Sequence, residues 1–281
     1  MLIAQITDVH IGFDSNGEDE LNLRRFRAVL DSLSAGPNRP DLLLLTGDLA
    51  DDGAVESYQR LKATLADCPY PCLPMVGNHD RRQNFHAAFA DCDDGRGFVQ
   101  YVHQADNLRL IVIDTLEEGR HDGAFCEQRA AWLDARLSEA PNEVTYIAMH
   151  HPPVECGIEW MNTDDDEPWV QRFSAVVGRH PQVRGLICGH LHRSVTVAWQ
   201  GKTVAICSSS APQVSADFSP LDSNHPDGRP MIVAENPAYA MHRWNGRELV
   251  SFYLEAAEFP VLARYDKKMQ ALVQSLEAER P

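Results

Sequence analysis

Apolar and polar positions along this chain follow two rhythms, and the change comes near residue 210. Before it, short and almost wholly apolar runs alternate with stretches whose apolar residues recur three and four apart. The runs predict strands over Leu2–Thr7, Leu42–Leu45, Cys72–Val76, Phe98–His103, Leu108–Asp114, Val144–Met149 and Gly185–Cys188. The stretches between them predict helices. Glu20–Ser34 carries Leu23, Phe26, Leu30 and Leu33 on one face, and Val55–Leu65 carries Tyr58, Leu61 and Leu65. Arg81–Ala90, Glu127–Leu137 and Trp169–Gly178 complete the set. Strand and helix in alternation predict an α/β fold with helices layered outside the sheets.

After residue 210 hairpin patterns dominate. Just ahead of the change, Val195–Trp199 and Thr203–Cys207 flank Gln200-Gly201; beyond it, Ala238–Trp244 and Glu248–Leu254 flank Asn245-Gly246, a strong two-residue turn signal. Ser208–Pro230, rich in Ser, Pro, Asp and Asn, reads as a long loop between the hairpins. Leu262–Glu279 predicts a closing helix with Tyr265, Met269, Leu272, Val273 and Leu276 on one stripe, packed on the chain's own body or against another subunit. Residues 1–210 thus read as the main domain, and residues 211–281 as an element completing it.

Composition narrows the function classes. A chain of 281 residues with 44% hydrophobic content supports one large domain. With 25 Lys+Arg against 41 Asp+Glu, the formal charge is −16. Such a surface repels nucleic acid polymers, whose binding rests on cationic contacts to phosphates. A small phosphorylated molecule can still enter where metal ions reverse the local field. The start, Met1 to Ile6, has no basic, long-apolar signal pattern, and no run reaches the ~20 apolar residues that span a membrane. Seven scattered cysteines without a Cys-x-x-Cys zinc pattern suggest reduced thiols in the cytoplasm. A local Cys68–Cys72 or intersubunit disulfide is the alternative.

The chemistry gathers at strand ends. Asp8 and His10 follow the first predicted strand; in an extended backbone, residues two apart point to one side and can share an ion. Asp48 follows the four-leucine run, where α/β folds place functional groups, although Asp also caps helices there. Val76-Gly77-Asn78-His79-Asp80 follows the third strand, with a glycine permitting an unusual turn. His150-His151-Pro152-Pro153 offers two imidazoles before a rigid pair of prolines, and only one need bind metal. His190 and His192 bracket Leu191 after Cys188. A turn Asp and a surface His explain Asp8 and His10 taken alone; together with the other clusters, imidazoles, carboxylates and one amide oxygen suit two divalent ions such as Zn, Mn, Fe or Co.

These clusters, in this order, resemble the calcineurin-like metallophosphoesterase superfamily, over Asp8 to His192. The compact form, with His-His-Pro-Pro and Gly-His-Leu-His, looks most like bacterial class III cyclic-nucleotide phosphodiesterases and glycerophosphodiesterases. The resemblance implies a four-layer α/β/β/α sandwich with a C-terminal β-hairpin cap and helix, the cap near the site or in a dimer contact. It implies Asp8, His10 and His192 on one metal, Asn78, His150 and His190 on the other, and Asp48 between them. It further implies hydrolysis of a small phosphodiester by metal-bound hydroxide, with Asn78 and His79 binding substrate. His79 would protonate the leaving oxygen, its ring oriented by Asp51. A homo-oligomer is expected. The alternatives are a phosphomonoesterase, a pyrophosphohydrolase of nucleotide or lipid-precursor diphosphates, and a non-enzymatic scaffold.

Two departures refine this. Related phosphoprotein phosphatases place Arg where this chain has Asp52, and a carboxylate there disfavours a dianionic monoester. The purple acid phosphatases have a Tyr where this chain has Asp51. Among the residues after His150-His151-Pro152-Pro153, Trp160 and Trp169 could stack on a base or fill core. Asp164, Asp165, Asp166 and Glu167 could be a solvated loop or could meet a cationic head group.

Overall fold

The computed structural model describes residues 1–14, 17, 19–105 and 107–280. Two sheets form its centre. In the first, β1 (Leu2–Ile6), β2 (Leu42–Thr46) and β3 (Cys72–Met75) run parallel. The second holds β4 (Tyr101–Ala105), β5 (Leu108–Val112), β6 (Thr145–Ala148), β7 (Val183–Cys188), β8 (Val195–Trp199) and β9 (Lys202–Ile206), in the order β4-β5-β6-β7-β9-β8. The later strands β12 (Ala238–Trp244) and β13 (Leu249–Glu255) extend the first sheet to the order β13-β12-β1-β2-β3. A separate ribbon pairs β10 (Gln213–Val214) with β11 (Ile232–Val233).

Alternation along the strands sets the layers. Ile3, Leu42, Leu44 and Met75 join the second sheet in one buried cluster. Their neighbours Ala4, Ile6, Leu43 and Leu45 face the other way, onto Leu23, Phe26, Val29, Tyr58, Leu61 and Phe85 of α1 (Leu21–Ala35), α2 (Val55–Leu65) and α3 (Arg82–Ala88). On the far side of the second sheet lie α4 (Glu127–Ser138) and α5 (Pro168–Val177), through Leu133, Leu137, Val170 and Phe173. The result is the α/β/β/α sandwich. A polar bridge crosses between the sheets at their centre: buried Gln5 donates from Nε2 to Thr46 Oγ1 and to the Cys188 carbonyl, both at 2.8 Å, and its Oε1 meets His242 Nε2 at 2.9 Å.

Several boundaries differ from the sequence pattern for local reasons. β4 starts at Tyr101, not Phe98, because the amide of Phe98 bonds to Asp94 and that of Val99 to Asp114 instead of joining a ladder. Asp106, in the expected turn, lies outside the described residues. Ser208–Pro230 is not all loop, since it contributes β10. The closing helix α6 is Lys267–Ala278, shorter than expected, because Asp266 Oδ1 accepts from the amides of Lys268 and Met269 and so caps it. Its stripe does not pack on the body: no α6 residue is buried, and Leu272 and Leu276 are half exposed. Both C-terminal hairpins lie in the sheets. The part of residues 211–281 that borders the site is the ribbon β10–β11 with Ala211 and Pro212.

Candidate metal centre

All seven candidate ligands lie just beyond strand ends on one edge of the sandwich. Asp8 and His10 follow β1, Asp48 follows β2 and Asn78 follows β3; His150 follows β6, and His190 and His192 follow β7. The first four come from one sheet and the last three from the other.

The backbone there is not extended. Asp8, His10, Asp48, His190 and His192 have φ of 51°, 49°, 49°, 71° and 51°, in the left-handed region. Among the described non-glycine residues, only Gln200 in a hairpin turn joins them. Side-chain residues occupy this region at a cost of about 1 kcal/mol or more each, held by surrounding structure. The physical reason is visible. Beyond the strands, the loops after β1 and β2 stay zipped through Asp8 N to Gly47 O (3.1 Å) and His10 N to Asp48 O (2.9 Å). The chain must turn sharply within that pairing, and the turn carries the side chains inward. The same-side outcome expected for an extended Asp8-Val9-His10 is reached by a different conformation.

Gly77 serves space rather than an unusual turn, since it lacks a positive φ. A Cβ there would sit 2.3 Å from Asp48 Oδ1. At Gly189 a Cβ would lie 2.0 Å from Thr7 Oγ1.

The donors form two groups. In one, His192 Nε2 lies 3.3 Å from Asp8 Oδ1 and 3.2 Å from His10 Nε2. In the other, Asn78 Oδ1 lies 3.2 Å from His150 Nε2 and 3.1 Å from His190 Nδ1. Asp48 Oδ2 sits between, 3.6 Å from His10 Nε2 and 3.3 Å from His150 Nε2. The far nitrogens are anchored: His10 Nδ1 on the Asp51 carboxylate (2.9 Å), His150 Nδ1 on Thr46 O (2.8 Å) and His192 Nδ1 on Pro212 O (2.8 Å). Such anchoring fixes the tautomer and leaves Nε2 free to ligate.

The donor set fits cations. Asp8 Oδ1 is buried and has no hydrogen-bond partner, a costly arrangement for a carboxylate unless positive charge meets it. Burial opposes ionisation of Asp8, yet His192 and His150 hold its carboxyl below the usual range. Burial likewise opposes ionisation of Asp48, and His150 and His10 hold it lower still. His150 is depressed by burial but raised by Asp48 and Asp8, to about 9. His190 is driven well down by burial and by His151 and His150, so it presents a neutral ring. His151 lies in the same cluster but is no ligand. Its Nδ1 meets Thr115 Oγ1 at 2.8 Å and its Nε2 meets His121 O at 3.2 Å, which occupies both nitrogens.

His79 stands beside this centre with a third of its side chain exposed. Its amide donates to Asp48 Oδ1 at 2.8 Å, and its Nδ1 donates to the Asp51 carbonyl at 2.8 Å. The Asp51 carboxylate is farther from that nitrogen, at 3.5 Å, and nearer to His10. Asp51 therefore orients His79 mainly through its backbone. Asp52 is absent from the cavity wall; its Oδ1 accepts from Ala54 N and Ser57 Oγ at the entry to α2. Trp169 is core, its indole donating to Glu167, and Asp164–Asp166 are exposed and away from the cavity.

Sequence reasoning missed His121. From the loop between β5 and α4 its ring packs on His190 (centroids 4.8 Å) and its Nδ1 meets Asn78 Nδ2 at 3.5 Å. It follows no strand and shares no motif spacing, so no pattern singles it out. Also unforeseen was a wall of Phe13, Met161, Val214 and Ile232, which joins Trp160 around a cavity of about 710 Å³ including its open mouth. No Lys or Arg lines it among the described residues. No helix is long and apolar enough to cross a membrane among the described residues.

Residues 1–194 match the profile of the calcineurin-like phosphoesterases. A probable glycerophosphodiester phosphodiesterase of Arcobacter nitrofigilis is 30% identical over 251 residues, covering 87% of this chain and 89% of that protein. The 3′,5′-cyclic adenosine monophosphate phosphodiesterase of Escherichia coli K12 is 28% identical over 225 residues, 79% of each chain. Among solved structures, a dimetal phosphatase of Danio rerio superposes with TM-score 0.68 at 17% identity, covering 92% of this chain and 97% of that one.

Proposed function

Because the chain belongs to the calcineurin-like phosphoesterase family, we propose that its cavity hydrolyses a small phosphodiester carrying one negative charge, of the cyclic-nucleotide or glycerophosphodiester kind. The carrying observation is the lining. A dianionic monoester or a diphosphate calls for extra cationic donors of fixed charge, and among the described residues the cavity has no Lys or Arg, while Asp48 and Asp51 line it beside the histidines. The electrostatic argument runs through this wall and not through Asp52.

Asp8, His10 and His192 would hold one divalent ion, Asn78, His150 and His190 a second, with Asp48 between. Bound divalent ions at such a site neutralise phosphoryl oxygens and acidify water toward neutral pH. The imidazole and carboxylate set suits Zn, Mn, Fe or Co. His79, tethered through Nδ1, turns its other nitrogen to the cavity to donate a proton to the leaving oxygen. Asn78 and His79 would also contact the phosphoryl group. A non-catalytic scaffold is disfavoured by the intact donor set.

Rates on bis(p-nitrophenyl) phosphate and p-nitrophenyl phosphate, after loading with each metal in turn, test the reading. The diester is expected to be the faster. A monoester turned over many times faster would reverse the choice.

Three further readings go with this one. Seven free thiols support a reducing, cytoplasmic compartment. Residues 211–281 fold with residues 1–210, supported by β12 pairing with β1, so one unfolding transition is expected. A homo-oligomer is supported by the exposed apolar row Val250, Phe252 and Leu254 on edge strand β13. Light scattering of wild type and Phe252→Glu checks it: a monomeric wild type would refute it.

A further inference from the structure

We propose that Cys68 and Cys72 form a dithiol site, apart from the metal centre, that reduces peroxides and closes into a reversible intramolecular disulfide, Cys68 attacking and Cys72 resolving. The two cysteines flank Pro69-Tyr70-Pro71 in the turn that leads from α2 into β3. That turn is fixed on several sides. Each proline ring locks its own φ. The Cys68 amide donates to the Leu65 carbonyl at 3.0 Å, and the Leu43 amide of β2 donates to the Pro71 carbonyl at 2.9 Å. Tyr70 is buried, its hydroxyl donating to the Leu33 carbonyl at 3.5 Å. Both half-buried sulfurs turn to one atom, the Tyr70 carbonyl oxygen, Cys68 Sγ at 3.9 Å and Cys72 Sγ at 3.4 Å. The thiols also hydrogen-bond to each other. Side chains already in contact across a rigid turn need little backbone movement to bridge.

The two thiols are not equivalent. Cys68 lines a surface cavity of about 740 Å³ including its open mouth, with Arg27, Asp31 and Asp67, and Cys72 does not. The hydrogen bond from Cys72 favours the Cys68 thiolate, against the opposing effect of burial, and brings it down to about 6. Cys72 is pushed up and keeps its proton. The thiolate is the reactive form, so the exposed member of the pair attacks. Its sulfur takes the terminal oxygen of a peroxide, the O–O bond breaks, and Cys68 becomes a sulfenic acid. The departing alkoxide collects the proton that Cys68 had released. The Cys72 sulfur then attacks the Cys68 sulfur; the S–S bond forms, the S–O bond breaks, and hydroxide leaves with the Cys72 proton as water. Two thiols give up two electrons, and one peroxide becomes an alcohol and a water. Small thiols reverse the bridge by exchange. A metal role is not indicated, since neither cysteine belongs to a group of three metal donors among the described residues. Cys188 and Cys207 are buried and pushed up, which makes them poor nucleophiles.

Reduced protein loaded with zinc, a metal without redox chemistry, should be treated with one equivalent of hydrogen peroxide, alkylated, digested and mapped by mass spectrometry. The peptide spanning residues 68–72 is expected to lose two hydrogens and escape alkylation, and dithiothreitol should restore both thiols. Cys68 should react about tenfold or more faster than Cys156, a half-buried thiol pushed up by burial, because only the thiolate attacks. Cys72→Ser should leave Cys68 as a sulfenic acid that dimedone traps. Cys68→Ser should leave Cys72 open to alkylation after the same treatment. The wild-type map decides even if a variant fails to fold. Full alkylation of both cysteines after peroxide, a bridge to any other cysteine, or Cys156 reacting as fast as Cys68 overturns the assignment.

Discussion

His10 and His192 face each other Nε2 to Nε2 at 3.2 Å, and the opposite nitrogen of each ring is tethered, to the Asp51 carboxylate and the Pro212 carbonyl. Two lone pairs converging at that distance repel unless a cation lies between them and the Asp8 carboxylate. Removing the tether on one side therefore acts on ion binding. Asp51→Ala is expected to lower divalent-metal affinity by about 10–100-fold, measured by calorimetric titration. It leaves the carbonyl that accepts from His79 in place, so the dependence of rate on leaving-group pKa should barely change. Unaltered metal affinity would refute the link through His10.

His79 gives the opposite pattern. Its amide, not its ring, touches Asp48, so His79→Ala should keep two bound ions per chain. Turnover of alkyl diesters should fall by about 10²-fold or more, the usual worth of a general acid, with a much smaller loss on nitrophenyl diesters. Equal losses on both would count against the acid role.

Gly77 and Gly189 test the closeness of the cage. An added methyl would lie 2.3 Å from Asp48 Oδ1 in one case and 2.0 Å from Thr7 Oγ1 in the other. Gly77→Ala and Gly189→Ala are each expected to reduce metal stoichiometry below two, read by elemental analysis, with far-ultraviolet dichroism near that of wild type. Full occupancy in either variant would show that the loops can give way.

His242 predicts a pH dependence away from the cage. Gln5 Nε2 is used on Thr46 and Cys188, so its Oε1 accepts from His242 Nε2, and His242 Nδ1 takes the Ser251 hydroxyl at 2.7 Å. Burial pushes this ring down to about 4 from 6.5. The folded value lies below the unfolded one, so the unfolded chain takes up the proton first as pH falls. The neutral ring's contribution is whole above pH 6.5 and is lost progressively toward pH 4. Between pH 7 and 5 this amounts to about 2 kcal/mol. In denaturant titrations His242→Gln should lose less stability over that interval than wild type, by about that amount. Parallel losses would refute it.

Much of this was legible in the sequence because burial on both faces leaves a plain trace. Leu42–Leu45 is apolar throughout since alternate leucines face the helices and the second sheet. The gathering of the candidate ligands was legible because ladder ends are where side chains become free. Features set by long-range packing were not. His121 belongs to no periodic element and is placed by His151 and His190. Asp52 looked like a substrate neighbour by motif position, but its carboxylate is spent on the turn into α2. Helix α6 carries a strong apolar stripe, and periodicity alone does not say which surface, if any, covers it. The left-handed run through Asp8, His10 and Asp48 is invisible to patterns built on side-chain polarity.

The division of the donors has a mechanical consequence. Four descend from the strands of one sheet and three from the other, and between those strand ends hydrogen bonds run from Gln5 to the Cys188 carbonyl, from His150 to the Thr46 carbonyl and from the His190 amide to the Asp8 carboxylate. Ions seated there would act as rivets through the seam, resisting shear of one sheet over the other. Stripping them would unfasten the edge at which the cavity opens, and pocket shape and metal content would then change together.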